Sequence, residues 1–490
     1  MKTLVIQAVL LIALETSLAV LPPYGVDSST VLYGCAAAVT AVCLWCFVSW
    51  RLSGGKLFEP YSLFLLAAVC FNAGHVVLFV GGVDISNSFI THFSDETSLK
   101  TMMVIAIGLC SFHFGGLVAK KPRKRAQTCA FQGPGTQVRL RAIALVGVVL
   151  FAISLPAWLY VMYGRLGRVM QYGYFVANFG NNPTGIAHLP ELLAEALAPA
   201  LMFVIAGSKS RLAIRSGAVV AMVVFGVTTL FAGNKGPVVM ALLAFGWVWH
   251  RTIRPLRGVL LTCAAIVLAV FVIPLTTAIR EVAGRDRTSF GAVEDAYTGI
   301  TNPAIAFLSE TGWTATTVAH TIELIPAVRE YDYGQSYAFA FMAVVPNVGG
   351  GLHPSKEHGF LADWLVSSLA PEYAARGGGW GFSFIAEAFA NFGIYGMPVA
   401  LIVIGYLFSS LFAWEQASTD PARTAMIGAC LCNCLLYARG ESGLLLREIV
   451  WYALIPYLCV ELLTRRRFRL QGESRREIPW PGTLPVGSRT

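Results

Sequence analysis

The chain has 490 residues, 56% of them hydrophobic and 13% charged, against roughly 25% charged in soluble domains. That balance excludes a soluble enzyme and predicts an all-α polytopic membrane protein, since a helix satisfies its own backbone inside lipid. The apolar runs are continuous and lack the alternation of a β-barrel, and the net charge of +9 reflects membrane topology rather than nucleic-acid binding.

About twelve apolar runs, within a range of 10–14, approach the ~20 residues that cross a bilayer. They are 4–21, 31–50, 61–80, 101–119, 140–163, 189–207, 217–233, 236–250, 259–279, 384–413, 424–438 and 444–463. The first run is short enough for a signal peptide, but Leu21-Pro-Pro-Tyr24 is a poor cleavage site, so it is read as a span. With the N-terminus inside, 24 of the 36 Lys and Arg fall on inner segments. Arg51 and Lys56, the cluster from Lys120 to Arg125, Arg211 and Arg215, Arg251 to Arg257, and Arg465 to Arg469 mark the inner turns. Both termini are therefore expected in the cytoplasm. The expected organisation is nine spans over 1–279, a large outer loop over 280–383, three spans over 384–463 and a cytoplasmic tail over 464–490.

The large loop carries Trp313, Trp364 and Trp380 with mixed charges, so it reads as an ordered cap rather than a linker. Within it, the run from Ala338 to Pro346 is too short to cross and reads as a buried or re-entrant helix. Residues 164–188, with Arg165 and Arg168, form a smaller outer loop. Eleven cysteines suggest no disulfide or metal framework; Cys430, Cys432 and Cys434 scatter around a helix and read as small buried hydrophobes. No HExxH pair or spaced acidic cluster points to a metal, and no cofactor is expected.

The remaining 12 of the 36 Lys and Arg lie outside, against the insertion rule, and several cluster. Gly233-Asn234-Lys235-Gly236 joins two spans in a tight turn, and the next helix opens on Pro237. Its free N–H groups and Lys235 form an anion seat; the alternative is a hairpin whose lysine reaches the headgroups. Arg280, Arg285 and Arg287 follow the next span. Arginine pairs with phosphate bidentately, although Glu281 and Asp286 equally allow a self-paired run.

The stretch GGGWGFSFIAEAFANFG over 377–393 puts Ser383, Glu387 and Asn391 on one helix face. A carboxylate in an apolar span costs on the order of 2.5–3.5 kcal/mol unless used, so it is either functional or a hydrogen-bonded clamp between helices. Arg439, Glu441, Arg447 and Glu448 flank the last outer turn. Asp363 and His353 belong to the large loop; a loop histidine is either a ligand or base, or simply solvated.

The succession Leu230-Phe-Ala-Gly-Asn-Lys-Gly-Pro237, Arg280, Val345-Pro-Asn347, Asp363-Trp364 and Gly381 to Gly393 resembles the Wzy-type O-antigen polymerases over about residues 217–460. The O-antigen ligases are a related possibility, and a flippase or transporter of lipid-linked sugars is the rival class. The resemblance implies a fold like the GT-C membrane glycosyltransferases and a multi-pass protein of the bacterial inner membrane. It implies transfer, at the periplasmic face, of a growing glycan from undecaprenyl diphosphate to the next lipid-linked repeat unit, for O-antigen, capsule or exopolysaccharide. Its partners would be the lipid-linked oligosaccharide donor and acceptor, membrane lipids, a chain-length regulator and a flippase.

The family's functional residues are outer-loop arginines, which by position are Arg280 first, then Arg285, Arg439 and Arg165; Lys235 stands where relatives often carry arginine. Fixed cations suit a leaving diphosphate, a role expected for Arg280 and Lys235 with Arg439 or Arg285 assisting. The acceptor hydroxyl needs a base: Glu387 is the first candidate, Asp363 or Glu441 the second, His353 the third. Asn234, Arg287, Asn391, Arg165 and Arg447 are expected to contact substrate.

Overall fold

The computed structural model describes residues 2–20, 28–120, 134–178, 185–209, 211–282, 286, 289–300, 302–345 and 359–476. All regular elements among the described residues are helices. Nine of them are long and apolar enough to cross a membrane: Ser29–Leu52, Pro60–Val80, Asp95–Ala119, Thr136–Tyr174, Leu189–Gly207, Leu212–Phe231, Gly258–Arg280, Phe384–Gln416 and Ser442–Arg466. Each overlaps an expected apolar run, but Thr136–Tyr174 continues as helix through residues 164–174, expected as the start of an outer loop. The other three expected spans are helical too, as Lys2–Val20, Lys235–Thr252 and Pro421–Cys434. The 14 residues of Pro421–Cys434 reach only about 21 Å, and a tight turn over Leu435–Arg439 extends them.

The helix Asp95–Ala119 forms the centre of the core, with most of its side chains buried. Phe384–Gln416 packs along it, and Ser28–Leu52, Pro60–Val80 and Lys2–Val20 surround the pair. The two central helices approach at glycine: a Cβ on Gly405 would lie 1.9 Å from the Phe112 carbonyl oxygen, and one on Gly115 would lie 1.9 Å from that of Ile402. Small residues at such crossings let backbones touch, which is how helices associate in lipid without a hydrophobic driving force. Phe64, Phe112, Phe384, Phe408 and Tyr437 fill the space beside this contact with ring centroids 4.8–6.2 Å apart. A second group packs Leu197–Gly207 against Pro134–Asn178, Pro421–Cys434 and Lys235–Thr252. Gly258–Arg280 stands at the edge, with Val259, Leu260, Ile266 and Phe271 exposed, as suits a lipid-facing helix.

The segment 280–383, expected as a cap, does not sit apart from the spans. Its helices Pro303–Gly312 and Thr314–Leu324 pack against Pro60–Val80, and the second also meets Asp95–Ala119 and Phe384–Gln416. Ala315, Val318 and Ala319 are fully buried in the common core. The expected short helix is found at Gln335–Met342, where it packs on Ser442–Ile449.

Phe384–Gln416 is broken at Gly393, whose φ of 63° lies in the left-handed region that glycine adopts without steric cost. The break frees carbonyls, and the preceding loop occupies them: Asp332 N–H donates to Ala390 O at 3.0 Å and Tyr333 N–H to Asn391 O at 2.9 Å. Opened backbone at membrane depth is tolerated where protein satisfies it in this way. Replacing Gly405 by leucine is expected to force the two central helices apart at a cost of about 1–3 kcal/mol or more. A lowered melting temperature of the detergent-solubilised protein would register it; an unchanged one would show that this crossing is not tight.

Candidate active site

The turn at Gly233 is set by its sequence. The helix Leu212–Phe231 ends with Gly233 at φ 88°, Gly233 N–H on Leu230 O at 2.8 Å and Asn234 N–H on Thr229 O at 3.0 Å, the hydrogen-bond pattern of a glycine-terminated helix. A Cβ on Gly233 would lie 2.4 Å from the Tyr174 ring and 3.3 Å from the Arg280 side chain. The missing side chain therefore gives the room that lets both residues settle on the turn. Arg280 donates from Nε to Gly233 O at 2.6 Å and lies 4.4 Å over the Tyr174 ring, a cation–π geometry.

Glu310 ties these pieces together. Its carboxylate accepts from Arg280 at 3.2 Å, from the Lys235 ammonium and from the Thr277 hydroxyl at 3.0 Å. Lys235 also donates to Thr277 at 3.0 Å. Burial raises the Glu310 carboxyl, but Lys235 and then Arg280 outweigh burial and hold it below its ordinary range. Arg439 is exposed and within electrostatic reach of Glu310 and Arg280. Among these four groups three positive charges face one negative.

Arg280, Glu310 and Arg439 border a cavity of about 710 Å³, also lined by Asn234, Thr277, Glu441 and Glu448, with Tyr174, Trp313 and Tyr437 as aromatic walls. Lys235 stands behind it, bonded to the lining residues Glu310 and Thr277. Gly236 and Pro237 line it too, so the N-terminus of Lys235–Thr252 opens on this space, where its backbone dipole favours an anion. His75 and Ser309 complete the wall near Trp313. A cavity of this size, with Arg280 and Arg439 in its wall, has room for a diphosphate with the sugar attached to it.

The expected residues divide into several groups. Asn234, Arg280, Arg439 and Glu441 meet at the cavity, and Lys235 reaches it through Glu310 and Thr277. Glu441 is buried and accepts the N–H groups of Leu361 at 2.9 Å and Ala362 at 3.1 Å, capping the helix Leu361–Leu369; burial, reinforced by Glu387, pushes its carboxyl up to about 8. Arg447 pairs with Glu195 at 3.5 Å, beside the cavity residue Glu448. Arg165 interacts with Glu191, Arg168 and Tyr174 and reaches the cavity only through Tyr174. Asp363 is exposed on the helix that Glu441 caps.

Glu387 and Asn391 do not line the cavity. Glu387 is fully buried, and its oxygens accept from Ser336 at 3.0 Å and from Ser442 N–H at 2.9 Å and hydroxyl at 2.8 Å, with Tyr437 at 3.5 Å. Asn391 donates to Ser336 at 2.7 Å and accepts from Gly334 N–H at 2.9 Å. These two residues clamp helices together, the second of the two readings their spacing allowed. Arg285, Arg287 and His353 lie outside the described residues, as do Pro346 and Asn347. A CxxC spacing, contrary to the expectation of none, is present at Cys43-Leu-Trp-Cys46, and both are buried free thiols in the core.

Glu310, Tyr174 and His75 belong to the site and were missed. Glu310 is a single acid between Ser309 and Thr311 in a largely apolar run, and no spacing or motif marks it. An apolar helical bundle with a charged cavity at the junction of its spans and interspan helices has the architecture of a polytopic membrane protein with an internal polar site. The chain belongs to the O-antigen polysaccharide polymerase Wzy family, whose model matches residues 4–469. This is a family of membrane glycosyltransferases acting on lipid-linked repeat units. No curated protein and no solved structure matches the chain.

Because the Glu310 carboxyl is held low, its pairs contribute stability above the ordinary carboxylate range, and that contribution is lost as pH falls through its folded-state value. Glu310→Gln is expected to lose on the order of 2 kcal/mol at neutral pH and to flatten the acid limb of melting temperature against pH. Added pyrophosphate should restore much of the loss by pairing the freed cations. A variant with an unaltered acid limb would deny Glu310 this role.

Proposed function

We propose that this protein polymerises a bacterial surface polysaccharide, moving the growing glycan from undecaprenyl diphosphate to the next lipid-linked repeat unit at the periplasmic face. It does so with twelve spans in a GT-C-like arrangement and both termini in the cytoplasm. The observation that carries this reading is the convergence of Arg280 and Arg439 on one cavity, with Lys235 behind it on the shared Glu310, in a chain of the Wzy family. Breaking a sugar–diphosphate bond moves negative charge onto the leaving phosphate. Cations already fixed around that phosphate stabilise the charge without reorganising, and the effect grows where water is scarce.

Glu310 holds the cation pair in place before substrate arrives. An incoming diphosphate takes over part of its role, since the phosphate oxygens offer Arg280 a bidentate partner. Arg439 closes the other side of the cavity, and the helix start at Gly236 supplies further N–H donors. Trp313, Tyr174 and Tyr437 give flat apolar surface against sugar rings. Glu387 has a positioning role: it holds Ser442 and Tyr437, and through them the turn that carries Arg439 and Glu441.

Arg280→Ala is expected to leave insertion and folding intact while lowering chain extension at least 10²-fold, the scale of losing one transition-state donor. Arg280→Lys should keep part of the rate, because charge survives but the planar fork does not. The assay incubates the purified protein with the undecaprenyl diphosphate-linked repeat unit and resolves the products by size. A ladder of lengthening glycans marks polymerisation, a single transfer to another lipid marks a ligase, and neither product marks a transporter. Full activity in Arg280→Ala would remove that residue from the mechanism.

A further inference from the structure

We propose that His75 is the general base of the transfer, taking the proton from the acceptor sugar hydroxyl, and that a second, smaller cavity beside it seats that sugar. This rests on the polymerase reading above and names the missing half of its chemistry. At the cavity Glu310 is engaged by Lys235 and Arg280 and Glu441 by two backbone donors, while Glu448 lies within electrostatic reach of Arg447.

His75 is 1% exposed and lies in the helix Pro60–Val80. Its Nε2 faces the carbonyl oxygen of Ser309 at 2.8 Å. A carbonyl oxygen only accepts, so Nε2 carries the hydrogen and Nδ1 keeps its lone pair. That Nδ1 is buried and has no hydrogen-bond partner. A buried acceptor without a donor costs about 1–3 kcal/mol, and in a native fold such an atom is met by a water or ion, stores strain or serves catalysis. A hydroxyl is the partner it lacks.

The position of the ring fits this role. His75 is common to the walls of two cavities: the cation-lined one of about 710 Å³ and a neighbour of about 260 Å³. The smaller cavity presents Asp84, Ser88 and Thr91 beside Phe79, hydrogen-bonding groups next to an aromatic face, which is the chemistry that recognises a sugar.

The helix Pro303–Gly312 fixes the ring against the cations. Ser309 orients His75, and the next residue, Glu310, holds Lys235 and Arg280. Contact between the two helices is close: a Cβ on Gly312 would lie 2.5 Å from His75 N and 2.7 Å from its Cδ2, and one on Gly74 would lie 2.8 Å from Leu308 O. The Phe89 ring stacks near the imidazole at 6.4 Å and 15°. Base and leaving-group site are thus held by adjacent residues of one short helix.

In the step itself, the acceptor hydroxyl oxygen forms the new bond to the anomeric carbon as that carbon's bond to the diphosphate oxygen breaks. The hydroxyl proton passes to His75 Nδ1. The electron pair of the broken bond leaves on undecaprenyl diphosphate, held by Arg280 and its neighbouring cations.

The test uses the full-length purified protein and the undecaprenyl diphosphate-linked repeat unit, with thermal stabilisation by undecaprenyl diphosphate as a separate measure of donor binding. His75→Gln, which can still donate to Ser309, is expected to slow chain extension about 10²–10⁴-fold while keeping that stabilisation. His75→Ala should be as slow and should recover with added imidazoles in order of their basicity, which a ring that merely fills space would not produce. Thr91→Trp, which closes the smaller cavity, should raise KM and leave donor stabilisation unchanged. Wild-type rates in His75→Gln, or no recovery with any imidazole in an alanine variant that still binds undecaprenyl diphosphate, would overturn the proposal. A wild-type KM in Thr91→Trp would overturn the acceptor cavity. If the unaltered protein yields no ladder, the polymerase reading fails first, a result distinct from either.

Discussion

A carboxylate shared by an ammonium and a guanidinium is expensive to bring together at a membrane surface, because each ion loses water. Glu310 accepts that cost with three donors at once, Lys235, Arg280 and Thr277. The three come from two helices that meet only because the Gly233 turn reverses the chain and the helix Ile273–Glu281 returns to it. Removing the acid would leave two like charges facing each other. Its presence holds both on one carboxylate. The rest of the cavity gathers around the pair: Tyr174 under Arg280, with Arg439 and the helix start at Gly236 facing the same space.

Irregular backbone recurs where chemistry is expected. The helix Phe384–Gln416 opens at Gly393, and π turns over Leu268–Val272 and Val450–Leu454 stand just before Pro274 and Pro456. Proline lacks the N–H that an α-helical ladder requires, and a widened turn upstream accommodates the gap. Each break redirects a segment that carries part of the site: Arg280 follows the first π turn and Glu448 precedes the second. Hydrogen-bonded pins compensate, with Glu387 joining three segments through Ser336, Ser442 and Tyr437. A fully buried acid with both oxygens engaged is poorly suited to receive another proton donor, so its value lies in rigidity.

The spans were legible because lipid imposes a simple rule on length and polarity, and the charged inner turns repeat it. Lys235 and Arg280 were legible for the converse reason: their charge stood where insertion disfavours it. Glu310 and His75 were not. Both are single polar residues in apolar surroundings, and a lone histidine or acid has no spacing to betray it. Their meaning depends on which segments pack together, and hydropathy is silent about that. The same gap explains the large loop, which looked like a cap because its helices are too short to cross. Ala315, Val318 and Ala319 nevertheless pack as deeply as any span residue, because spans already in place give short helices apolar faces to lie on.

Transfer between two lipid-linked substrates requires both to reach one point without exchanging roles. The geometry meets this with asymmetry rather than with two copies of one pocket. One cavity is large and lined by cations, suited to a diphosphate under bond cleavage. Its neighbour is smaller, carries one carboxylate and hydroxyls, and offers no cation among its walls, so a diphosphate gains nothing there and a sugar does. Consecutive residues 309 and 310 of one helix both line the large cavity, the first holding His75, which borders the two, and the second holding the cations. A rotation of that helix would disturb base and leaving-group site together, which couples the readiness of one to the readiness of the other. Gly74 and Gly312, by bringing the helix within backbone contact of His75, leave it little freedom to rotate.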